Sequence, residues 1–424
     1  MKRLSKLLRT AACLALVLLF TLPAASAGEG ERLRFPAGGK LKIAVFADLQ
    51  TTQNVPGNLI ANLEAVLDEE DPDLVVFLGD QVEGKHPWVH LGDNEAHVKR
   101  IIDQILAPVV ERDIPFAVVF GNHDARDSGV DKETQMAYYR TFPGCLAEDE
   151  GEALPGCGTY HLLYESADGS RPALNLYFLD SLEYDPGGGY GCVSKEQIAW
   201  CRTVGETLAR TNGGEPVPAI AFQHIIVPEI YNTFTKVRDK GEAGAFAGKG
   251  AGKGGWYAAP AGMEGLEEAP CPPDYSNGQF AAWREAGDVK AAFFGHDHVN
   301  SFTARLDGIG LTACPGATYT SYNDEDQRGV RIIEIHEDDI ARGVYETRVV
   351  RFKDLYEPGL FASIGRFFGQ PHLWELEGVA AVGILLLAGG LWIAVRRARK
   401  KKAAPAAQPQ KADKRAKALP GKKR

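Results

Sequence analysis

Residues 289–298 read VKAAFFGHDH: a mostly apolar, strand-like run, Val289–Phe294, stops at a glycine and gives way to His296 and His298. Histidine favours neither a core nor a tight turn, so two of them one residue apart at a strand's end are better explained as metal ligands than as packing. The same arrangement recurs upstream. Leu41–Ala47 ends at Asp48, Leu74–Leu78 ends at Gly79-Asp80, Pro115–Phe120 ends at Gly121-Asn122-His123-Asp124, and Val217–Phe222 leads to His224. Helical patterns, Asn58–Glu69 and Asn94–Glu111, lie between the first three runs. Unbroken apolar strands alternating with helices predict a layered α/β fold whose strands are buried on both faces. Such sheets place their sites outside the carboxyl ends of the strands. Five strand ends would then deliver oxygen and nitrogen donors, the ligands of Mn, Zn or Fe, into one crevice.

Each motif alone has a plainer reading. Asp48 and Asp80 are acceptable helix N-caps, and Gly121-Asn122-His123-Asp124 is an acceptable turn. Their joint occurrence in this order is the specific signal. Downstream, Ala173–Leu179 reads as a further strand and Ser301–Val350 as mostly strands with turns. Asp185–Tyr190 contains three glycines and reads as a loop. Thr233–Tyr275, rich in Gly, Ala and Lys with Trp256 and Tyr257 near its middle, reads as a long functional lid or a disordered segment.

The 424-residue chain is 45% hydrophobic and 24% charged, a globular composition that excludes collagenous, wholly disordered and disulfide-dense miniproteins. Its net charge of −9 hides an asymmetry. Lys2, Arg3, Lys6 and Arg9 precede the apolar run Ala11–Leu22 and the small residues Ala25-Ser26-Ala27, so residues 1–27 read as a signal peptide. Val379–Val395 is an uncharged apolar run followed by a Lys/Arg-rich tail, which predicts one transmembrane helix with its basic end cytoplasmic. The expected order is a linker over 28–40, a catalytic domain over 41–355, a juxtamembrane segment over 356–378, the helix over 379–395 and a disordered tail over 396–424. This places the domain outside the cytoplasmic membrane. The body between the two basic ends is strongly acidic, which argues against nucleic-acid binding. Cys145, Cys157, Cys192, Cys201, Cys271 and Cys314 remain after the signal, a number compatible with disulfides but silent on pairing.

The ordered blocks Asp48-Leu49-Gln50, Gly79-Asp80, Gly121-Asn122-His123-Asp124, His224 and Gly295-His296-Asp297-His298 resemble the calcineurin-like metallophosphoesterase superfamily. Phe46–Leu49, Tyr190-Gly191-Cys192 with Gln197–Trp200, and Gly295–Asn300 resemble its purple-acid-phosphatase-related branch more narrowly. The resemblance implies a four-layer sandwich of two mixed β-sheets flanked by helices. It also implies two divalent metal ions (Mn, Zn or Fe). Asp80 would bridge them; Asp48, Gln50 and His298 would serve the first, and Asn122, His224 and His296 the second. A metal-bound water would attack a phosphate ester, His123 would protonate the leaving alkoxide, and Asp124 would orient His123 or cap the next helix. Asp297, between two ligands, would point elsewhere and support the site. Gln50 stands where the family has His, and Glu83 where purple acid phosphatases have Tyr. An amide is a weaker donor than imidazole to zinc or iron, so a catalytically weak or inactive surface module that binds a phosphorylated ligand is the alternative.

Overall fold

Burial along the apolar runs shows why they become strands. Leu74–Leu78 and Phe116–Val119 are covered at every residue, which requires packing on both faces. In the computed structural model, which describes residues 32–151 and 153–355, the chain runs β1 (Lys40–Phe46), α1 (Gly57–Glu70), β2 (Leu74–Leu78), α2 (Asn94–Val110), β3 (Phe116–Val119), α3 (Lys132–Tyr139), β4 (Tyr160–Glu165) and β5 (Pro172–Leu179). It continues through α4 (Lys195–Thr211), β6 (Ala219–Gln223), β7 (Thr235–Val237), β8 (Ala245–Ala247), β9 (Trp256–Ala258), α5 (Gln279–Ala286) and β10 (Val289–Phe294). Four strands close it: β11 (Thr303–Leu306), β12 (Ile309–Ala313), β13 (Gly329–His336) and β14 (Glu346–Arg351).

These form two mixed sheets flanked by helices. The first has the order β14-β13-β1-β2-β3, with β1, β2 and β3 parallel and β13 and β14 antiparallel. The second has the order β11-β12-β10-β6-β5-β4, with parallel strands β12, β10, β6 and β5 between antiparallel edges. Side-chain alternation sorts the second sheet's faces. Leu176, Phe178, Ile220, Phe222 and Phe293 join one buried cluster with Phe46, Phe77, Val118 and the apolar faces of α1 and α2. Tyr177, Leu179, Ala221 and Phe294 point the other way, into a cluster with Cys201, Phe280 and Trp283 of α4 and α5. Across the shared core, Tyr160, Phe178, Phe222 and Phe293 stack in a row with centroids 4.6, 5.3 and 5.7 Å apart. The helix starts are capped as their residues dictate: Asp93 accepts from Ala96 N–H, Asp131 from Thr134 N–H, and Ser194 with Gln197 forms a capping box.

Three expectations change. The 28–40 segment is not simply a linker: Arg34 bridges Glu165 and Phe35 packs edge-on against Tyr164, because an aromatic beside the open edge strand β4 gains by burial. The 233–275 segment is not structureless. It folds into a three-stranded antiparallel sheet, β7-β9-β8, whose Phe246 and Tyr257 pack with Phe234 and Tyr231. Its strands are three residues long, too short to show alternation. All six described cysteines carry free thiols. The segments expected to form a signal peptide, a juxtamembrane stretch, a membrane helix and a basic tail lie outside the described residues; among the described residues no helix is long and apolar enough to cross a membrane.

Candidate metal centre

The carboxyl ends of both sheets supply the polar residues. Asp48, Asp80 and Asn122 follow β1, β2 and β3; His224 follows β6, and His296 and His298 follow β10. The turns that bring them together are tight. Asp48, Gln50, Asp80 and His296 all take positive φ, at 50, 32, 53 and 73°. Such conformations in non-glycine residues persist only where the surroundings impose them, and they cluster at functional sites. Gly79 and Gly121 have no alternative: a Cβ at the first would strike the His224 ring, and at the second the Asp80 carboxylate.

Asp80, His224 and His296 offer ligand atoms all within 4.8 Å of one another. His224 Nε2 lies 3.1 Å from Asp80 Oδ2 and 3.8 Å from Asp48 Oδ1, and His298 Nε2 lies 3.5 Å from Asp48 Oδ1. The other ring nitrogens fix the tautomers. His224 Nδ1 sits 2.9 Å from the Leu78 carbonyl and His298 Nδ1 sits 2.7 Å from the Tyr322 carbonyl. A carbonyl only accepts, so both Nδ1 atoms carry hydrogen and each Nε2 faces a carboxylate oxygen. Such a pair is unfavourable unless a proton or a metal cation lies between the two atoms.

Without a metal the conflict appears as shifted protonation. Burial opposes charge on His224, but Asp80 and Asp48 outweigh it and push its pKa up to about 10. Burial pushes His298 down to about 4 and Asp48 well above the carboxylate range. Asp80 falls below that range because His224 and His123 overcome the effect of burial. Three buried atoms, His224 Nε2, Asn122 Oδ1 and Gln50 Oε1, make no sound hydrogen bond. Orphaned N and O donors around paired carboxylates fit divalent cations of the Mn, Zn or Fe kind.

Gln50 is enclosed, and its Nε2 lies 3.4 Å from Asp80 Oδ2. The Asn122 amide donates to Tyr184 Oη at 3.2 Å, and its Oδ1 is left without a hydrogen bond. His123 N–H donates to Asp80 Oδ1 at 2.8 Å. Its ring Nδ1 lies 3.0 Å from Asp127 Oδ2 and 3.9 Å from Glu83 Oε1. Burial works against the imidazolium, but Asp80, Asp127 and Glu83 together raise its pKa.

Asp124 does something other than orient His123. Its carboxylate accepts from the N–H groups of Asp80, Gln81, Val82 and Gly121 at 2.7–3.0 Å, tying the Asp80 turn to the Asn122 turn. The carboxylate at the His123 ring is Asp127, four residues later in the turn that follows β3. Asp297 does point away, its Oδ2 accepting from Cys271 N–H at 3.1 Å. Sequence reasoning missed Asp127, Tyr184 and Glu268. The four-residue spacing from His123 was a usable signal for Asp127 alone. Tyr190, quoted only for the branch resemblance, packs edge-on against His296 at 4.2 Å. Trp256 and Tyr257 lie in the small sheet, with Tyr257 against Tyr231 at 4.6 Å.

A family model described as calcineurin-like phosphoesterase matches residues 41–300. The chain is 29% identical over 341 residues to a protein named probable inactive purple acid phosphatase 14 from Arabidopsis thaliana, covering 72% of this chain and 77% of that one. It is 29% identical over 303 residues to phosphatase DCR2 of Saccharomyces cerevisiae, covering 65% of this chain and 47% of that one. A dimetal phosphatase structure from Danio rerio aligns with 74% of this chain and 99% of its own at 13% identity, with a TM-score of 0.43.

Proposed function

Because this chain belongs to the calcineurin-like phosphoesterase family, we propose that it hydrolyses phosphate esters at a two-metal centre held by Asp48, Gln50, Asp80, Asn122, His224, His296 and His298. One observation carries the reading: the Nε2 atoms of His224 and His298 converge with the Asp80 and Asp48 carboxylates, a set of donors that suits divalent cations. Two divalent cations bound there supply Lewis acidity toward a phosphoryl oxygen and lower the pKa of water. The rest falls to the chain. Asp80, with two carboxylate oxygens and one negative charge, would be the residue shared by the two positions, and its charge would offset the repulsion between them. His123, its Nδ1 beside Asp127, has Nε2 free to hold a proton and release it to the leaving alkoxide oxygen. Asp124 holds the Asp80 and Asn122 turns in register.

A monoester is favoured by the purple-acid-phosphatase-like relatives. The basic, apolar termini support an extracytoplasmic domain anchored by one helix with a cytoplasmic tail. Metal analysis with hydrolysis of an aryl phosphate tests the reading. We expect two bound metals, with kcat lowered about 10²–10⁴-fold in His123→Ala at unchanged metal content. Retained turnover in that variant refutes the role of His123, and a wild-type protein that binds no metal refutes the centre. A second reading, a phosphate-binding module without turnover, is favoured by Gln50 and by the relative named inactive. Tight phosphate binding without hydrolysis would establish it.

A further inference from the structure

His296 and His298 lie on a loop whose other polar side chains turn away from the centre. Asp297 Oδ2 accepts from Cys271 N–H at 3.1 Å. Asn300 Oδ1 accepts from the N–H groups of Glu267 and Glu268 at 2.9 and 3.0 Å, and its amide donates to the Glu268 carbonyl at 3.1 Å. Ser301 N–H donates to the Gly265 carbonyl at 2.7 Å. Asp297 and Asn300 are 3% and 0% exposed, so these bonds form away from water, where losing one is costly. They fasten residues 265–271 along the ligand loop as a strap.

One residue of the strap reaches back toward the centre. Glu268 Oε1 accepts from Tyr322 O–H at 3.0 Å, while Glu268 Oε2 lies 3.0 Å from Lys249 Nζ. Tyr322 in turn holds His298 in three ways, one of them through its Oη, which accepts from His298 N–H at 3.4 Å. Its ring stacks on the imidazole with centroids 4.0 Å apart and planes 11° off parallel, and its carbonyl takes Nδ1–H at 2.7 Å. A face contact and an Nδ1 bond from one residue leave the imidazole a single orientation, with Nε2 toward Asp48. Among the described residues, no other ligand histidine is held on its face and at its free nitrogen by the same residue.

We propose that Tyr322 and Glu268 are positioning residues for the cation served by Asp48 and His298, and that the strap at 265–271 sets that cation's affinity. The proposal rests on the two-metal reading above and adds residues that lie outside all five motif blocks. The physical reason is the donor at position 50. An amide there contributes less than imidazole would, so more of the affinity on this side depends on how well His298 is preorganised. Residues that orient a ligand histidine are worth about 10–100-fold in metal affinity.

The test is calorimetric titration of Mn(II) into the chelator-stripped full chain, comparing wild type with Tyr322→Ala, Tyr322→Phe and Glu268→Gln. We expect two binding events in wild type. Tyr322→Ala, which removes the stack and the link to Glu268, should weaken one event by about 10–100-fold and leave the other unchanged. Tyr322→Phe keeps the ring and the carbonyl but loses the hydroxyl that joins Glu268 to His298 N–H, so it should weaken the same event by about tenfold; Glu268→Gln, which keeps an acceptor and loses the charge, should weaken it less, and the double variant should be no worse than Tyr322→Phe. A purely packing role for Tyr322 would lower the melting temperature and leave both dissociation constants alone, which overturns the proposal. Should Tyr322→Ala fail to fold, the two conservative variants decide the matter by the same criterion. Two wild-type events that no variant alters refute the strap. No wild-type binding refutes the two-metal reading itself.

Discussion

Replacing Lys132 by Met is expected to cost more than any surface change, and the effect should reach the metal centre. Lys132 Nζ sits 2.9 Å from both oxygens of Asp180, whose side chain is 0% exposed. Burial opposes the ammonium, but Asp180 outweighs it and raises the Lys132 pKa. A raised lysine contributes its full stability below the unfolded value near 10.4 and loses it only as pH rises through the folded one, so a melt at pH 7.5 samples the whole effect. Met is of similar length and fills the space, leaving Asp180 with only the N–H groups of Leu182 and Cys157. An uncompensated buried carboxylate costs about 3–5 kcal/mol. At about 2 °C per kcal/mol for a domain of this size, the melting temperature should fall by roughly 6–10 °C. Asp180 opens the turn that carries Ser181, whose Oγ accepts from Ile225 N–H beside His224, and Tyr184, which meets Asn122. Weaker Mn(II) binding should therefore accompany the loss of stability. Lys132→Met with Asp180→Asn should melt higher than Lys132→Met alone, since the orphaned charge is gone. A single variant within about 1 kcal/mol of wild type, or a double variant equal to the sum of its parts, refutes the argument.

Gln50→His should tighten one of the two Mn(II) events by about tenfold, since imidazole is the stronger donor; equal affinity in calorimetry would place Gln50 outside the ligand set. At the amino end of β10, burial raises the pKa of Asp288, which accepts from Tyr177 O–H at 3.2 Å. A carboxyl with a raised folded pKa gives its full stability below the unfolded value near 3.9 and loses it as pH climbs through the folded one. Asp288→Asn should therefore gain on wild type as pH rises above the unfolded carboxyl value near 3.9 in urea melts; a difference that stays constant with pH would contradict the shift.

The sequence exposed the ligands because each follows a run of residues that only a doubly covered strand explains. Leu74–Leu78 before Asp80 and Val289–Phe294 before His296 need no partner to be read. The supports were illegible for a different reason: they meet the site through space. Tyr322 lies 24 residues beyond His298 and touches it only because β11 and β12 fold back and the chain then returns along the ligand loop. Glu268 sits in a segment whose Gly and Ala content hides the short strands preceding it. Asp124 was assigned to its neighbour in sequence, whereas its four partners are mostly residues of the Asp80 turn, 42–44 positions away. Local motifs name the atoms that face the centre; they are silent on what holds those atoms still.

The division of the ligands between the two sheets has a mechanical consequence. Asp48, Asp80 and Asn122 hang from one sheet, His224, His296 and His298 from the other, and stacked rings of the second sheet face the first sheet's apolar residues behind them. Any ion shared by Asp80 and His224 is thus a rivet at the mouth of a seam glued along its length by oil. Chelation would release the mouth and leave the glue, so the halves should begin to part at the end that carries these residues, and a dose of divalent ion should act on this fold as a fastener.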